Sequence, residues 1–134
     1  MATLSAGLVD YGLAAGRIHS ETFGAAAALN PGIVATSLVA PHVPSGPAGS
    51  GPGVGFARSG LTAPWGPGYQ SLLEFAEACD VPTRWSCRTG VCHNCETSLL
   101  SGSVRYDPEP LEPPAQGNVL ICCATPAEEV VLDL

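Results

Sequence analysis

Apolar and polar positions alternate most clearly on either side of the dipeptide Ser59-Gly60. A period of two residues is typical of half-buried β-strands, and a Ser-Gly dipeptide between two such runs is typical of a turn. We therefore predict a β-hairpin in which Pro64 occupies a strand end or a sheet edge. Its apolar positions are Val54 and Phe56 before the turn and Leu61, Ala63 and Trp65 after it.

A helical spacing replaces this alternation after residue 70. Ser71 is followed three residues later by Glu74, which is the arrangement of a helix capping box. The apolar residues that follow recur on one helical face, so we predict a helix over residues 71–79. They are Leu72, Phe75, Ala76 and Cys79.

Strand-prone runs follow the helix at 97–100, 103–106, 118–122 and 130–134. The segment 107–117 contains four prolines, which predict a turn-rich connection. Strands, one helix, a long loop and further strands indicate an α+β domain.

The first part of the chain has weaker patterns. Residues 4–15 have a marginal helical face interrupted by glycines, and residues 16–24 alternate like a short strand. Residues 31–53 contain five prolines and five glycines without any apolar period, which predicts a linker. We therefore divide the chain into an N-terminal piece, 1–30, a Pro/Gly-rich linker, 31–52, and a domain, 53–134.

The formal net charge of −7 is confined to the second half of the chain. Residues 65–134 contain ten acidic residues and three arginines, and the chain has no lysine. We therefore expect a positively charged protein partner and no nucleic acid, which binds cationic surfaces. No apolar run suits a signal peptide or a membrane span, so we expect a cytoplasmic protein. Clustered cysteines in a reducing compartment usually bind metal or perform redox chemistry.

The cysteines carry the strongest chemical signal. Cys87, Cys92 and Cys95 have the spacing C-x4-C-x2-C, and Cys122 and Cys123 lie downstream. This is the plant-type spacing for a cluster of two irons and two sulfides, for which the protein supplies four thiolates. Three ligands from one loop and one from a distant strand would lock that loop to the domain.

The residues around the first ligand suit a loop that wraps an anionic cluster. Gly90 can take a positive φ, and a tightly turned backbone directs N–H groups inward towards negative charge. We expect Ser86, Arg88 and Gly90 to surround the cluster. Arg88 would either balance its charge or lie on the surface.

Residues 53–134 resemble the plant-type 2Fe-2S ferredoxin family, and most closely the C-terminal ferredoxin domain of phthalate-dioxygenase-reductase-like flavoenzymes. The resemblance lies in the helix start at 71–74, the loop at 86–95, and the tail from Cys122-Cys123-Ala124 to Leu134. It implies a β-grasp fold built around the cluster. His93 departs from the family, many of whose members have glycine or another small residue there.

Cys122 and Cys123 compete for the fourth ligand position. Adjacent residues of a strand point to opposite faces, so only one of them can face the cluster. The register of the resembling ferredoxins favours Cys122 and leaves Cys123 as the alternative. The predicted metal ligands are therefore Cys87, Cys92, Cys95 and Cys122.

The resemblance also implies a function. Residues 4–24 are similar to the last helix and strand of the nicotinamide-binding domain in those reductases, whose flavin domain has no counterpart here. We therefore expect the tail of a longer reductase that itself binds neither flavin nor nicotinamide. It would be an electron-transfer component and not a stand-alone catalyst, with a flavoprotein as donor and an oxygenase or another redox protein as acceptor.

Two other functions fit parts of the cysteine pattern. Four of the cysteines could form a structural zinc site, although such sites usually contain two closely spaced cysteine pairs. Cys92 and Cys95 could form a thioredoxin-like C-x-x-C dithiol, but the βαβ context of that motif is missing. We expect Cys79 to be a buried core thiol and His93 to face solvent.

Overall fold

The computed structural model describes residues 11–12 and 39–134. Gly12 has a φ of 91°, which lies outside the helical range, so the predicted helix over 4–15 does not continue through it. The remainder of that helix, the strand at 16–24 and the first part of the linker lie outside the described residues.

Within the described residues, one short helix and seven strands alternate along the chain. In order they are β1 (Gly53–Phe56), β2 (Leu61–Pro64), α1 (Leu72–Ala78), β3 (Glu96–Ser101), β4 (Val104–Tyr106), β5 (Asn118–Leu120), β6 (Ala124–Pro126) and β7 (Val130–Leu132).

The strands form a five-stranded mixed sheet in the order β2-β1-β7-β3-β5 and a separate two-stranded ribbon of β4 and β6. β1 runs antiparallel to β2 and parallel to β7, and β3 runs antiparallel to both β7 and β5. A mixed sheet with a single helix across it confirms the α+β class, and the arrangement is the β-grasp fold.

The predicted hairpin is confirmed. β1 pairs with β2 in the register Val54↔Ala63 and Phe56↔Leu61, and Gly60 makes the turn with a φ of 63°. Val54, Phe56 and Ala63 are buried, as their alternation predicted. Pro64 ends β2 at the sheet edge, where its missing N–H breaks no ladder hydrogen bond.

The predicted helix is also confirmed. Ser71 is the N-cap, and its Oγ accepts a hydrogen bond from the backbone N–H of Glu74 at 3.3 Å. The Glu74 carboxylate reaches back to the N–H of Gln70 at 2.7 Å, one residue before the position of a standard capping box. Both bonds satisfy donors at the start of the helix that would otherwise lack a partner.

The helix covers the sheet with one apolar face. Phe75 is central to this contact, with ring centroids 5.0 Å from Tyr69, 5.3 Å from Trp65 and 6.2 Å from Phe56. Trp65 therefore has the packing role that its alternation indicated. Cys79 is fully buried at the end of the same face, which confirms it as a core thiol.

One strand prediction needs correction, and one strand was not predicted. The run at 118–122 is a strand only as far as Leu120, because the chain turns at 121–123. β6 was not predicted, since it has only 3 residues and ends at Pro126, but it pairs with β4 and closes the ribbon. The runs at 97–100, 103–106 and 130–134 correspond to β3, β4 and β7.

The described part of the predicted linker lies against the domain. The His42 backbone N–H donates to the carbonyl of Cys79 at 2.9 Å, and ring Nε2 lies 2.7 Å from a carboxylate oxygen of Asp80. The Gly51 N–H donates to the carbonyl of Trp65 at 3.0 Å. The domain boundary near residue 53 stays a prediction.

No apolar helix long enough for a bilayer occurs among residues 11–12 and 39–134. α1 itself has 7 residues, far fewer than the roughly 20 that a membrane span needs.

Gly102 allows the chain to pass from β3 to β4 directly against β7. A Cβ at this position would lie 2.1 Å from the carbonyl oxygen of Glu129, and φ is 88°.

Gly117 has a similar φ of 82°, but a Cβ there would meet nothing within 4 Å. An alanine at Gly117 therefore measures the cost of the backbone conformation without a steric contact. We expect Gly117→Ala to lower the free energy of unfolding by about 1 kcal/mol and Gly102→Ala by about 3 kcal/mol or more, since backbone must move.

Urea denaturation of the two variants beside the unsubstituted protein measures this difference. If the two variants lost the same free energy of unfolding, the contact with the carbonyl of Glu129 would relax without cost.

Candidate metal centre

The loop between α1 and β3 contains three of the cysteines and is sharply turned. Within its segment 86–95, three residues have positive φ: Arg88 at 57°, Gly90 at 72° and His93 at 58°. Gly90 is buried, and a Cβ there would lie 2.8 Å from Cys123 Sγ and 3.3 Å from the Cα of Pro110. Glycine is therefore required here by its neighbours as well as by its backbone conformation.

The four predicted ligands form two pairs of sulfur atoms. Cys95 and Cys122 are both buried, with their Sγ atoms 3.0 Å apart. Cys87 and Cys92 are linked by reciprocal contacts, because the N–H of Cys92 lies 3.4 Å from Cys87 Sγ and the N–H of Cys87 lies 3.5 Å from Cys92 Sγ. The fold thus brings the loop and the distant fourth cysteine together.

Backbone donors favour the thiolate form of Cys87. Burial acts to raise the pKa of its thiol, but hydrogen bonds from the side chain and N–H of Thr89 and from the N–H groups of Val91 and Cys92 outweigh it, lowering the pKa to about 6. The Thr89 N–H lies 3.5 Å from the sulfur. This is the inward-facing set of donors that the turned loop was expected to provide.

The two sulfurs of the second pair are hydrogen-bonded to each other. This contact lowers the pKa of the Cys122 thiol and raises that of Cys95, and burial raises the pKa of Cys95 further. A metal bound here would replace the protons that these thiols hold.

Cys123 lies directly beside the second pair, and its thiol is hydrogen-bonded to Cys122. Its Sγ packs against the position of Gly90 and contacts the carbonyl of Leu120 at 3.6 Å. Burial raises the pKa of its thiol to about 12, with the neighbouring Cys122 adding to the effect. Strand alternation does not apply to Cys122 and Cys123, because both residues lie in the turn after β5, and the choice of Cys122 stays a prediction.

Arg88 connects the loop to α1 through an ion pair with Glu77. Its guanidinium makes a two-pronged contact with the Glu77 carboxylate, of which the Nη1–Oε2 distance is 3.0 Å, and stacks 3.9 Å above the Trp85 ring centroid. The charge of Arg88 is therefore paired with a carboxylate of α1. Ser86, the other polar residue expected around the cluster, is exposed.

His93 does not face solvent as predicted. Its side chain is 22% exposed, and ring Nδ1 lies 2.8 Å from a carboxylate oxygen of Glu96. The prediction was wrong because the contact forms across a turned loop, where residues three apart meet without a helix. A φ of 58° is a backbone conformation that glycine adopts more readily than histidine.

Glu96 and Asn118 belong to the site although no sequence pattern indicated them. Glu96 accepts from Asn118 Nδ2 at 2.8 Å and from the Ala115 N–H at 2.9 Å. Burial acts to raise the pKa of Glu96, but the hydrogen bonds from Asn118, His93 and Ala115 lower it overall. The only available signal was an acidic residue directly after the last loop cysteine.

This arrangement fits a binuclear cluster. Each iron of such a cluster takes two thiolates, and the sulfurs lie in two pairs with backbone N–H groups directed at both of them. In the part of the chain that the structure describes, no three His, Cys, Asp or Glu side chains converge as ligands of one ion.

Comparison with known proteins agrees with this geometry. The family model of the 2Fe-2S iron-sulfur cluster binding domain matches residues 56–127. An uncharacterised ferredoxin-like protein of Escherichia coli strain K12, YfaE, is 32% identical over 66 residues, which cover 49% of this chain and 79% of that protein. Phthalate dioxygenase reductase of Burkholderia cepacia is 34% identical over 70 residues, which cover 51% of this chain and 22% of that protein.

A solved structure of phthalate dioxygenase reductase, described as modular and as transferring electrons from pyridine nucleotides to a 2Fe-2S centre, is similar in fold. Its TM-score is 0.54 at 24% identity, and the alignment covers 100% of this chain and 38% of that one. The chain therefore belongs to the ferredoxin-type family of 2Fe-2S iron-sulfur cluster binding domains, and its function is electron transfer through that cluster.

Proposed function

We propose that this chain is the ferredoxin module of a flavin-dependent reductase system, with the cluster held by Cys87, Cys92, Cys95 and Cys122. The observation that carries the ligand assignment is the pairing of sulfurs, with Cys95 and Cys122 3.0 Å apart although 27 residues separate them in sequence. When bound, the cluster accepts and releases one electron.

The chain's own residues prepare the site for metal. Cys87 is held near its thiolate form by backbone donors, so little protonation opposes its ligation at neutral pH. Cys95 and Cys122 lose their thiol protons on binding. The N–H groups of Thr89 and Cys92 remain directed at Cys87 Sγ, where they stabilise negative charge.

The partner assignment is supported by charge and by relatives. Exposed carboxylates at Asp107, Glu109 and Glu112 belong to the connection that also contains Pro110, which touches the loop at Gly90. An acidic rim beside the cysteines favours a donor and an acceptor with basic docking surfaces. The reductase relatives include the phthalate dioxygenase reductase described above and a reductase subunit of a toluene-4-sulfonate monooxygenase system in Comamonas testosteroni.

Reduction by a flavoprotein tests this function. We expect a catalytic amount of a flavoprotein ferredoxin reductase, kept reduced by NADH without oxygen, to bleach the visible absorption with one electron per chain. The rate should fall as ionic strength rises above roughly 0.1 M, because salt screens the acidic rim. Cys87→Ser, which removes a proposed ligand, is the control. Bleaching by dithionite but not by any flavoprotein would contradict the proposed donor.

Serine substitution of the adjacent cysteines tests the fourth ligand. We expect Cys122→Ser to lose the visible absorption and the bound iron, because its sulfur completes the pair with Cys95. Cys123→Ser should keep both, because its sulfur packs behind Gly90. The two variants are matched controls for each other, and the reverse pattern would assign the ligand to Cys123.

A further inference from the structure

One carboxylate joins the ligand loop to the strand that leads to the fourth cysteine. Glu96 directly follows Cys95, and its Oε2 accepts from His93 Nδ1 at 2.8 Å. Its Oε1 accepts from Asn118 Nδ2 at 2.8 Å and from the Ala115 N–H at 2.9 Å. Both oxygens are therefore engaged, and the Glu96 side chain is only 18% exposed. We refer to His93, Glu96 and Asn118 as the carboxylate clamp.

The clamp spans the proposed ligand set. His93 lies between Cys92 and Cys95 in the loop, and Asn118 begins β5, which ends just before the turn that contains Cys122. The clamp therefore fixes the middle of the loop relative to the strand that delivers the remaining ligand. It strengthens the same junction as the β3–β5 ladder, which pairs Glu96 with Leu120 and Ser98 with Asn118.

His93 depends on this contact for its position. A φ of 58° is unfavourable for a residue with a Cβ. A carboxylate only accepts, so ring Nδ1 carries the proton. Ring Nε2 is buried and has no hydrogen-bond partner among the described residues. The bond to Glu96 is thus the polar contact that orients the imidazole.

We propose that His93 and Glu96 are positioning residues that set how firmly the cluster is retained, by fixing the Cys92–Cys95 segment against β5. This inference rests on the proposed ligand set. It assigns the His93 side chain a hydrogen bond to Glu96 that glycine or another small apolar residue at this position could not make.

The test compares two replacements of His93 that both tolerate its backbone conformation. Glycine removes the side chain without strain, whereas asparagine accepts a positive φ and places its Nδ2 where ring Nδ1 lies, so it can still donate to Glu96. Each cluster-containing protein is mixed with excess EDTA without oxygen, and the loss of visible absorption is followed. Loss of one buried hydrogen bond should make His93→Gly release its cluster about five- to tenfold faster, while His93→Asn should stay within about twofold of the unsubstituted protein.

A double-mutant cycle separates the clamp from loop flexibility. Glu96→Ala should accelerate release at least as much, because it also removes the contacts with Asn118 and Ala115. Adding His93→Gly to Glu96→Ala should then change the rate by less than about twofold, because the contact between His93 and Glu96 is already lost. Glu128→Gln is the matched control, since that exposed carboxylate accepts from Ser103 at 2.8 Å away from the loop. Low-temperature EPR spectra of the dithionite-reduced proteins should change in His93→Gly and not in His93→Asn, a signature that general destabilisation would not produce.

The outcomes distinguish the inference from the function on which it rests. An unsubstituted protein that retains no iron or sulfide overturns the proposed ligand set. Cluster retention at the unsubstituted rate in His93→Gly overturns the clamp alone. So does an effect of His93→Gly that is undiminished in the Glu96→Ala background, because it would then arise from backbone flexibility.

Discussion

The contact between Cys95 and Cys122 is the constraint on which the site depends. Two buried sulfurs from distant parts of the chain lie 3.0 Å apart, and the β3–β5 ladder brings them there. Cys95 precedes β3 and Cys122 follows β5, so an antiparallel pairing of these strands places both cysteines at the same end of the ladder. A shift in this register would separate the two halves of the proposed ligand set.

The rest of the domain keeps that ladder and the loop in place. β3 is also bound to β7, and α1 buries its apolar face on the sheet through Phe75. Arg88 connects the loop to Glu77 on the helix, and Glu96 connects it to Asn118 on β5. The loop has no secondary structure of its own, so these side-chain contacts and its buried glycine determine its shape.

Local patterns predicted the features that depend on near neighbours. The hairpin around Gly60, the helix capped by Ser71 and the ligand loop all followed from alternation, capping chemistry and cysteine spacing. β6 was missed because three residues ending in proline carry no strand pattern, and it exists through its pairing with β4. The contacts of Glu96 with His93 and Asn118 depend on how a turned loop meets a distant strand, which no local spacing encodes. Strand alternation could not distinguish Cys122 from Cys123, because both lie in the turn after β5.

The most direct test of the cluster is its composition and its response to a reductant. The protein is purified without oxygen, iron, zinc and acid-labile sulfide are assayed, and the visible spectrum is recorded before and after dithionite. A 2Fe-2S centre predicts about two irons and two sulfides per chain, with visible absorption that falls on reduction. A colourless protein that holds stoichiometric zinc after careful reconstitution with iron and sulfide would contradict it.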